Sequence, residues 1–317
     1  MDPVTHTLVG VTLARAGLDR RTPLAVATLV LAANAPDIDV AAMFKGENFA
    51  LACRRGWTHG PLAWVLLPFI VTAAVLAWDR WIRRRPPAEA SPARLVLLLA
   101  TLGVLSHPML DWLNTYGIRL LMPFSDHWFR GDSLFIIDPI LWTLLGVGLF
   151  SARLARADVR RSRRIVRVAG AMALAYVAAM ITLSAAGEHL GRTAAKSRGI
   201  AGITEVLYSP RPATPLAADL VVRTAGGYYF GALHWLASPR VTLEDDLLPR
   251  GDWSVPAVAR ARAMPAVRNY LVWSQFPFVS VQTRGADTAV FFGDARYRGG
   301  LAGGLSGIQV DLRATTP

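Results

Sequence analysis

Long apolar runs alternate with short charged gaps through the first two thirds of the chain. They fall at 5–16, 23–35, 60–81, 94–116, 134–152 and 165–187. A bilayer core of about 30 Å takes about 20 helical residues at 1.5 Å each, so the third and sixth runs are long enough to cross it unaided. The first two are too short and are expected half-buried, or packed in a bundle that thins the membrane locally. After residue 200 the pattern changes. Residues 207–215 are proline-rich and read as a linker or an extended edge. Short runs of β type follow at 220–223, 228–233, 278–283, 289–292 and 308–312. Ala225-Gly226-Gly227 and Arg284-Gly285-Ala286-Asp287 are the expected hairpin turns. The expected architecture is a polytopic α-helical membrane domain over 1–200, with about five to six membrane-embedded helices, some of them short. A small antiparallel β-rich domain over 201–317 follows, near the usual domain size.

Composition agrees. Of 317 residues 53% are hydrophobic and 18% charged, and mean hydropathy is +0.35. These values exclude a disordered chain and argue against an ordinary cytosolic globule. The single cysteine, Cys53, excludes an intramolecular disulfide framework and a cysteine-based zinc site. No cleavable signal peptide is expected, since 1–17 lacks a basic leading region.

The net charge of +12 sits in the gaps between apolar runs. Arg80, Arg83, Arg84 and Arg85 fill one gap; Arg153, Arg156, Arg160, Arg161, Arg163, Arg164 and Arg167 fill another. No nucleic-acid motif accompanies them, so they read as topology signals and no nucleic-acid partner is expected. Both basic loops are expected on the cytoplasmic side. The N-terminus, 35–59, 117–138 and everything after about residue 188 then fall on the opposite face. Lys45, Arg54 and Arg55 lie on that outer side against the trend.

Ionisable residues in or near apolar runs are costly, so each is a functional candidate. These are His6, Asp37, Asp39, His59, His107, Asp111 and Asp138. Counting arginines, which does not use these residues, places all seven at one membrane face. Imidazole and carboxylate suit Zn²⁺, Mn²⁺ or Fe²⁺. His107 and Asp111 share a helix face at i, i+4, although Pro108 disfavours helix at His107 and a fresh turn is expected to start there. Asp37 and Asp39 point the same way if 35–39 is extended. Each residue also has a plainer reading. His6 and Asp37 could serve as helix caps or satisfied polar groups, and Asp138 before Pro139 has the form of an N-cap.

The opening Met1-Asp2-Pro3-Val4-Thr5-His6-Thr7 resembles the YdjM-like family of inner-membrane, metal-dependent hydrolases. So do Ala35-Pro36-Asp37-Ile38-Asp39, Arg55-Gly56-Trp57-Thr58-His59 and Ser106-His107-Pro108-Met109-Leu110-Asp111. Asn114-Thr115-Tyr116-Gly117 and 132–139 continue the series, and Gly226-Gly227-Tyr228-Tyr229 extends it weakly. The resemblance implies a bacterial inner-membrane hydrolase distantly similar to zinc-dependent phospholipase C. It matches His107 and Asp111 to a His-x-x-x-Asp metal element, with His59 and Asp37 or Asp39 as further ligand types. Two departures stand out: Arg54 takes the place of a family histidine and Gly60 that of a serine. With no second His-x-x-x-Glu/Asp element, one or two ions are expected, most simply Zn with Mn or Fe as alternatives.

The expected function is metal-dependent hydrolysis of a phosphate ester, lipid or lipid-linked, at the extracytoplasmic membrane interface. His6, Asp37, His59, His107 and Asp111 are the expected ligands and Asp39 the general base. Arg55 is a candidate to steady a phosphate oxygen or to anchor at the interface. Asn114, Thr115 and Asp138 are candidates to orient ligands or substrate. The alternatives are a non-enzymatic metal-binding membrane scaffold, an ion transporter, or a structural protein whose polar cluster is hydrogen-bonded glue. The sequence leaves substrate, metal identity and oligomeric state open.

Overall fold

The computed structural model describes residues 1–86, 89, 91–284, 287–298 and 305–313. The chain divides into two compact units. The first holds 1–39, 55–184 and 210–215, the second 40–54, 185–209 and 216–317.

The first unit is helical. It contains α1 (Pro3–Arg15), α2 (Ala25–Asn34), α4 (Pro61–Trp81), α5 (Ala93–Trp112), α6 (Pro139–Leu154) and the first part of α7 (Val159–Ser197). Asp2 caps α1 by accepting from the Val4 and Thr5 amides at 2.9 and 3.0 Å, with Pro3 at the first helical position. Helix α2 packs between α1 and α5. Small residues permit this close approach. A Cβ on Gly10 would stand 2.9 Å from the Leu29 carbonyl oxygen, and one on Gly103 would stand 2.6 Å from the Ala32 Cβ. Leu24, Ala32, Val71, Val75, Val96, Ala100 and Val104 form the core shared by α2, α4 and α5. The outer faces stay apolar, with Val65, Leu66, Phe69, Ile70, Leu98, Leu102 and Leu174 exposed. A face of that kind fits lipid better than water.

Among the described residues, four helical stretches are long and apolar enough to cross a membrane. They are Ala25–Lys45, Pro61–Trp81, Ala93–Trp112 and Val159–Ser197, with Pro139–Leu154 shorter. The second run, expected too short to cross, reaches that length because a 3₁₀-helix continues it to Lys45. Two local expectations are corrected. Residues 35–39 are not extended: α2 runs on into a 3₁₀-helix over Ala35–Lys45. Pro36 takes away one i→i−4 bond, and the chain tightens instead of straightening. Pro108 does not restart α5, which is continuous to Trp112. In that turn the Ser106 hydroxyl donates to the Gly103 carbonyl at 2.7 Å.

The second unit is β-rich. Strands β2 (Thr214–Thr224), β3 (Gly227–His234) and β4 (Arg240–Leu243) are antiparallel neighbours. β1 (Ile203–Arg211) lies beside β2, and β5 (Leu248–Pro249) pairs with β3. β6 (Pro277–Arg284), β7 (Asp287–Asp294) and β8 (Gly307–Leu312) form a second antiparallel sheet. The expected edge at 207–215 is therefore strand at both ends, and the linker reading falls. The 225–227 turn is a hairpin closed by Thr224 and Gly227, and Arg223 pairs with Tyr228. Arg284 pairs with Asp287, while Gly285 and Ala286 of the second expected turn lie outside the described residues. The end of α7 packs on the first sheet, where Gly187 and Gly191 leave room for Tyr208, Val206 and Leu220. Three short helices were not legible: α3 (Glu47–Cys53), α8 (Pro256–Arg262) and α9 (Pro265–Trp273). α3 packs on α9 within this unit.

Candidate metal centre

The close packing of α1, α2 and α5 decides where the histidines meet. His6 lies one turn before Gly10, and His107 one turn after Gly103. The two rings stack with centroids 3.8 Å apart and planes 15° from parallel. His59 stands just before α4 and meets the His107 ring edge-on at 4.9 Å. All three histidines and Asp111 are fully buried.

Asp111 is the centre. Its Oδ1 lies 3.4 Å from His6 Nε2, and its Oδ2 lies 3.3 Å from His59 Nε2 and 3.4 Å from His107 Nε2. His59 Nε2 and His107 Nε2 are 3.1 Å apart. Donors at the corners of a tetrahedron of about 2.1 Å radius lie about 3.4 Å apart, so these spacings suit a Zn²⁺-sized ion. Asp37 Oδ1 stands 3.9 Å from His107 Nε2. Among the described residues two overlapping groups could each hold a metal: His6, His107 and Asp111, and Asp37, His59 and His107. Arg55 Nε, at 2.9 Å, and the Met1 amine also meet Asp111.

The surroundings fix tautomers. The Ala33 carbonyl can only accept, so His107 donates to it from Nδ1 at 2.6 Å and turns the Nε2 lone pair inward. His59 Nδ1 faces the Thr58 hydroxyl at 2.8 Å and Asp39 Oδ2 at 3.6 Å. Neither ring nitrogen of His6 has a hydrogen-bond partner among the described residues. Burying an imidazole with both nitrogens unbonded is costly, and a ligand between His6 and Asp111 would remove that cost.

Arg55 adopts a left-handed backbone with φ of +50°. Such a conformation is unusual for arginine and persists where its neighbours over-determine it. Here its amide donates to Asp39 Oδ2 at 2.7 Å, and its carbonyl accepts from the Arg119 amide at 2.9 Å. The guanidinium is buried. Besides Asp111 it bonds Asn114 Oδ1 at 2.8 Å and the Gly117 carbonyl at 3.2 Å, under the Tyr116 ring. Arg55 thus braces the cluster and is not an interfacial anchor. Asn114 Oδ1 also accepts from the Tyr116 amide at 3.0 Å. Its Nδ2 is buried without a hydrogen-bond partner among the described residues. Thr115 follows in the same turn, half-buried.

The structure therefore brings together His6, Asp37, Asp39, His59, His107, Asp111, Arg55 and Asn114. Asp138 does something else. It caps α6, accepting from the Ile140 and Leu141 amides at 3.0 and 2.9 Å and from the Tyr176 hydroxyl at 2.8 Å. The Asp-Pro pair at the helix start already signalled that outcome. Thr58, Tyr116 and the Ala33 carbonyl were missed. A hydroxyl directly before a candidate histidine was the available signal for Thr58, whereas a backbone carbonyl gives none. The Gly60 departure has a local reason: a Cβ there would lie 2.0 Å from the Met122 carbonyl oxygen, so a serine does not fit.

Comparison with known proteins gives a family for this arrangement. A family model described as YdjM inner membrane protein matches residues 1–187. That span includes every residue of the cluster. The chain is also similar to the uncharacterized protein YfhP of Bacillus subtilis (strain 168), 29% identical over 150 residues. The match spans 45% of this chain and 43% of YfhP, less than half of either. No solved structure matches.

Proposed function

The chain belongs to the family of YdjM inner membrane proteins, and on that premise we propose that it is a membrane-bound metal-dependent hydrolase. Its substrate is a phosphate ester, lipid or lipid-linked, met at the extracytoplasmic membrane interface. The observation that carries this reading is the buried convergence of three imidazoles on Asp111, with both His6 nitrogens unbonded among the described residues. Scattered polar glue would bond its own groups.

His6, His107 and Asp111 would hold one ion, and Asp37, His59 and His107 form an overlapping alternative set. His107 gives its Nδ1 to the Ala33 carbonyl and has only Nε2 to offer, so the two sets share it and one ion is the simplest occupancy. A bound divalent metal lowers the pKa of its water towards 7. The chain's own residues do the rest. Asp39 is tied to the Arg55 amide and faces His59 Nδ1, so it positions His59. Asp37 has the more accessible side chain, 14% exposed against 5% for Asp39. Asp37 therefore takes the proton-accepting role that sequence reasoning gave to Asp39. Arg55 holds the Asp111 carboxylate in place, and the Asn114 Nδ2 donates to a substrate oxygen. Exposed Trp57, Met109 and Phe124 near these motifs suit an interface where a lipid substrate enters.

One observation favours the scaffold alternative: the donor side chains other than Asp37 and Asp39 are fully closed off. Structural metal sites are closed and catalytic ones keep an open position. An assay separates the two. The purified protein in lipid vesicles should hydrolyse a phosphate-ester lipid analogue, lose activity to chelator and regain it with Zn²⁺ or Mn²⁺. Stoichiometric metal with no turnover across a panel of phosphate esters would favour the scaffold. Metal flux into the vesicles would favour transport.

A further inference from the structure

The arginines that set topology also build a site at the other end of the first unit. On α1, Arg15 lies nine residues beyond His6, about 14 Å along the axis. Arg20, Arg160, Arg163, Arg164 and Arg167 line a cavity of about 400 Å³. Arg15, Arg153, Arg156 and again Arg163 line a second of about 530 Å³. Among the described residues Asp19 is the carboxylate lining the larger cavity, and none lines the smaller. Arg15 Nη1 bonds Asp19 Oδ2 at 3.3 Å, while Asp19 Oδ1 is buried without a hydrogen-bond partner among the described residues. The smaller cavity is therefore the one free of competing carboxylate. Asp158, nearby in sequence, lines neither cavity, and its Oδ1 accepts from the Arg160 and Arg161 amides.

Arg163 is the hinge of the arrangement. It borders both cavities, and its Nε is buried with no hydrogen-bond partner among the described residues. A buried guanidinium N–H without an acceptor carries a desolvation cost that an arriving anion would offset. Guanidinium groups in a cluster match phosphate oxygens in pairs.

An apolar trough distinguishes the kind of anion. Between α6 and α7 a groove of about 540 Å³ is lined by Leu144, Val147, Ile165, Val168 and Met172. It shares Arg164 and Val168 with the smaller arginine cavity. A free phosphate gains nothing from such a trough, whereas a phospholipid fills both parts. We propose that this end of the α1–α6–α7 bundle binds the phosphate headgroup of an anionic phospholipid, with one acyl chain along the α6–α7 groove. Arg167 Nε is committed to the Ala16 carbonyl at 2.8 Å. Arg163 and Arg164 therefore carry most of the recognition. Basic pockets between membrane helices take anionic headgroups in this way. The site is independent of the metal centre and does not require the hydrolase reading.

The test uses the full chain in detergent micelles with three probes: short-chain phosphatidylglycerol, phosphatidylcholine of equal chain length, and glycerol phosphate. Native mass spectrometry reads bound lipid. Phosphatidylglycerol should bind about ten-fold more tightly than either other probe. Arg163→Gln/Arg164→Gln should remove that preference. Arg240→Gln/Arg268→Gln, which removes equal charge from exposed positions elsewhere, should keep it. Should the double variant fail to fold, Arg164→Gln alone, at an exposed position, should still cost about three-fold. Equal binding of the two lipids would overturn the proposal. Glycerol phosphate binding as tightly as phosphatidylglycerol would show a soluble-phosphate site instead. Equal loss in both double variants would reduce it to non-specific charge.

Discussion

Asp111 touches three imidazoles and Arg55 at once, so its charge is worth more than its shape. Asp111→Asn keeps the volume and removes the charge. It should lower metal affinity by more than about ten-fold. It should also destabilise the first unit by about 3 kcal/mol, because Arg55 is left buried without its counter-charge. Metal titration and thermal unfolding of the same preparation check both. His6 gives the opposite sign. Its ring nitrogens are buried without hydrogen bonds among the described residues, a cost the metal-free protein bears for its ligand. His6→Leu should stabilise the metal-free protein by about 1 kcal/mol while weakening metal binding. If His6 were ordinary polar glue, His6→Leu would destabilise the protein with or without metal. At this scale the sequence was informative. His107 and Asp111 at helical spacing, and His59 and Asp37 before and after apolar runs, announced themselves by residue type. The roles of Arg55 and Asp39 did not, because they depend on one left-handed backbone angle that no residue type requires.

Elements are positioned by small residues more than by the ligands themselves. Gly10 and Gly103 set the spacing that stacks His6 on His107. Gly60 lets the 117–131 loop lie against the start of α4, directly after His59. Gly60→Ala should cost about 1–3 kcal/mol by overpacking against the Met122 carbonyl, and should loosen metal retention through His59. Unchanged retention would mean that the close approach at Gly60 does not position His59, which its other partners then hold without it. The helices at Pro61–Trp81 and Ala93–Trp112 were legible because their apolar runs are long. The second run was read as too short because its 3₁₀ continuation to Lys45 was not foreseen, and α7 extends well beyond its apolar stretch at both ends. α8 and α9 carried start signals in Pro256 and Pro265, but seven and nine residues are too short for periodicity to speak. The 3₁₀ continuation after Pro36 was missed for a related reason: proline restricts the neighbouring backbone without naming what replaces the α-helix.

Each unit of the whole molecule has its own anchor. In the second unit that anchor is Asp294, fully buried. Arg296 grips it through Nε and Nη2 at 2.9 Å each, and Ser274 and the Gln275 and Phe276 amides also bond it. Burial pushes the Asp294 carboxyl up, but Arg296 and these hydrogen bonds hold it below the ordinary value overall. A depressed folded pKa stabilises above the unfolded value of about 4 and loses that contribution as pH falls through the folded value. Asp294→Asn should therefore lower the unfolding midpoint of the full chain by about 10 °C at pH 7, with the gap shrinking in acid. Orientation is testable at the same scale. In a Cys53→Ser background, Asp126→Cys near the metal centre should react with an impermeant maleimide in intact cells. Arg161→Cys should react only after permeabilisation. The reverse pattern would put the centre in the cytoplasm. The claim on which the rest depends is that the buried histidines and Asp111 hold a metal. Its most direct test is elemental analysis of detergent-purified protein, prepared without chelator, beside a folded His107→Ala/Asp111→Ala variant. Near-stoichiometric zinc or manganese in the wild type, absent from the variant, is the expected result. A wild type that stays metal-free after supplementation would contradict it.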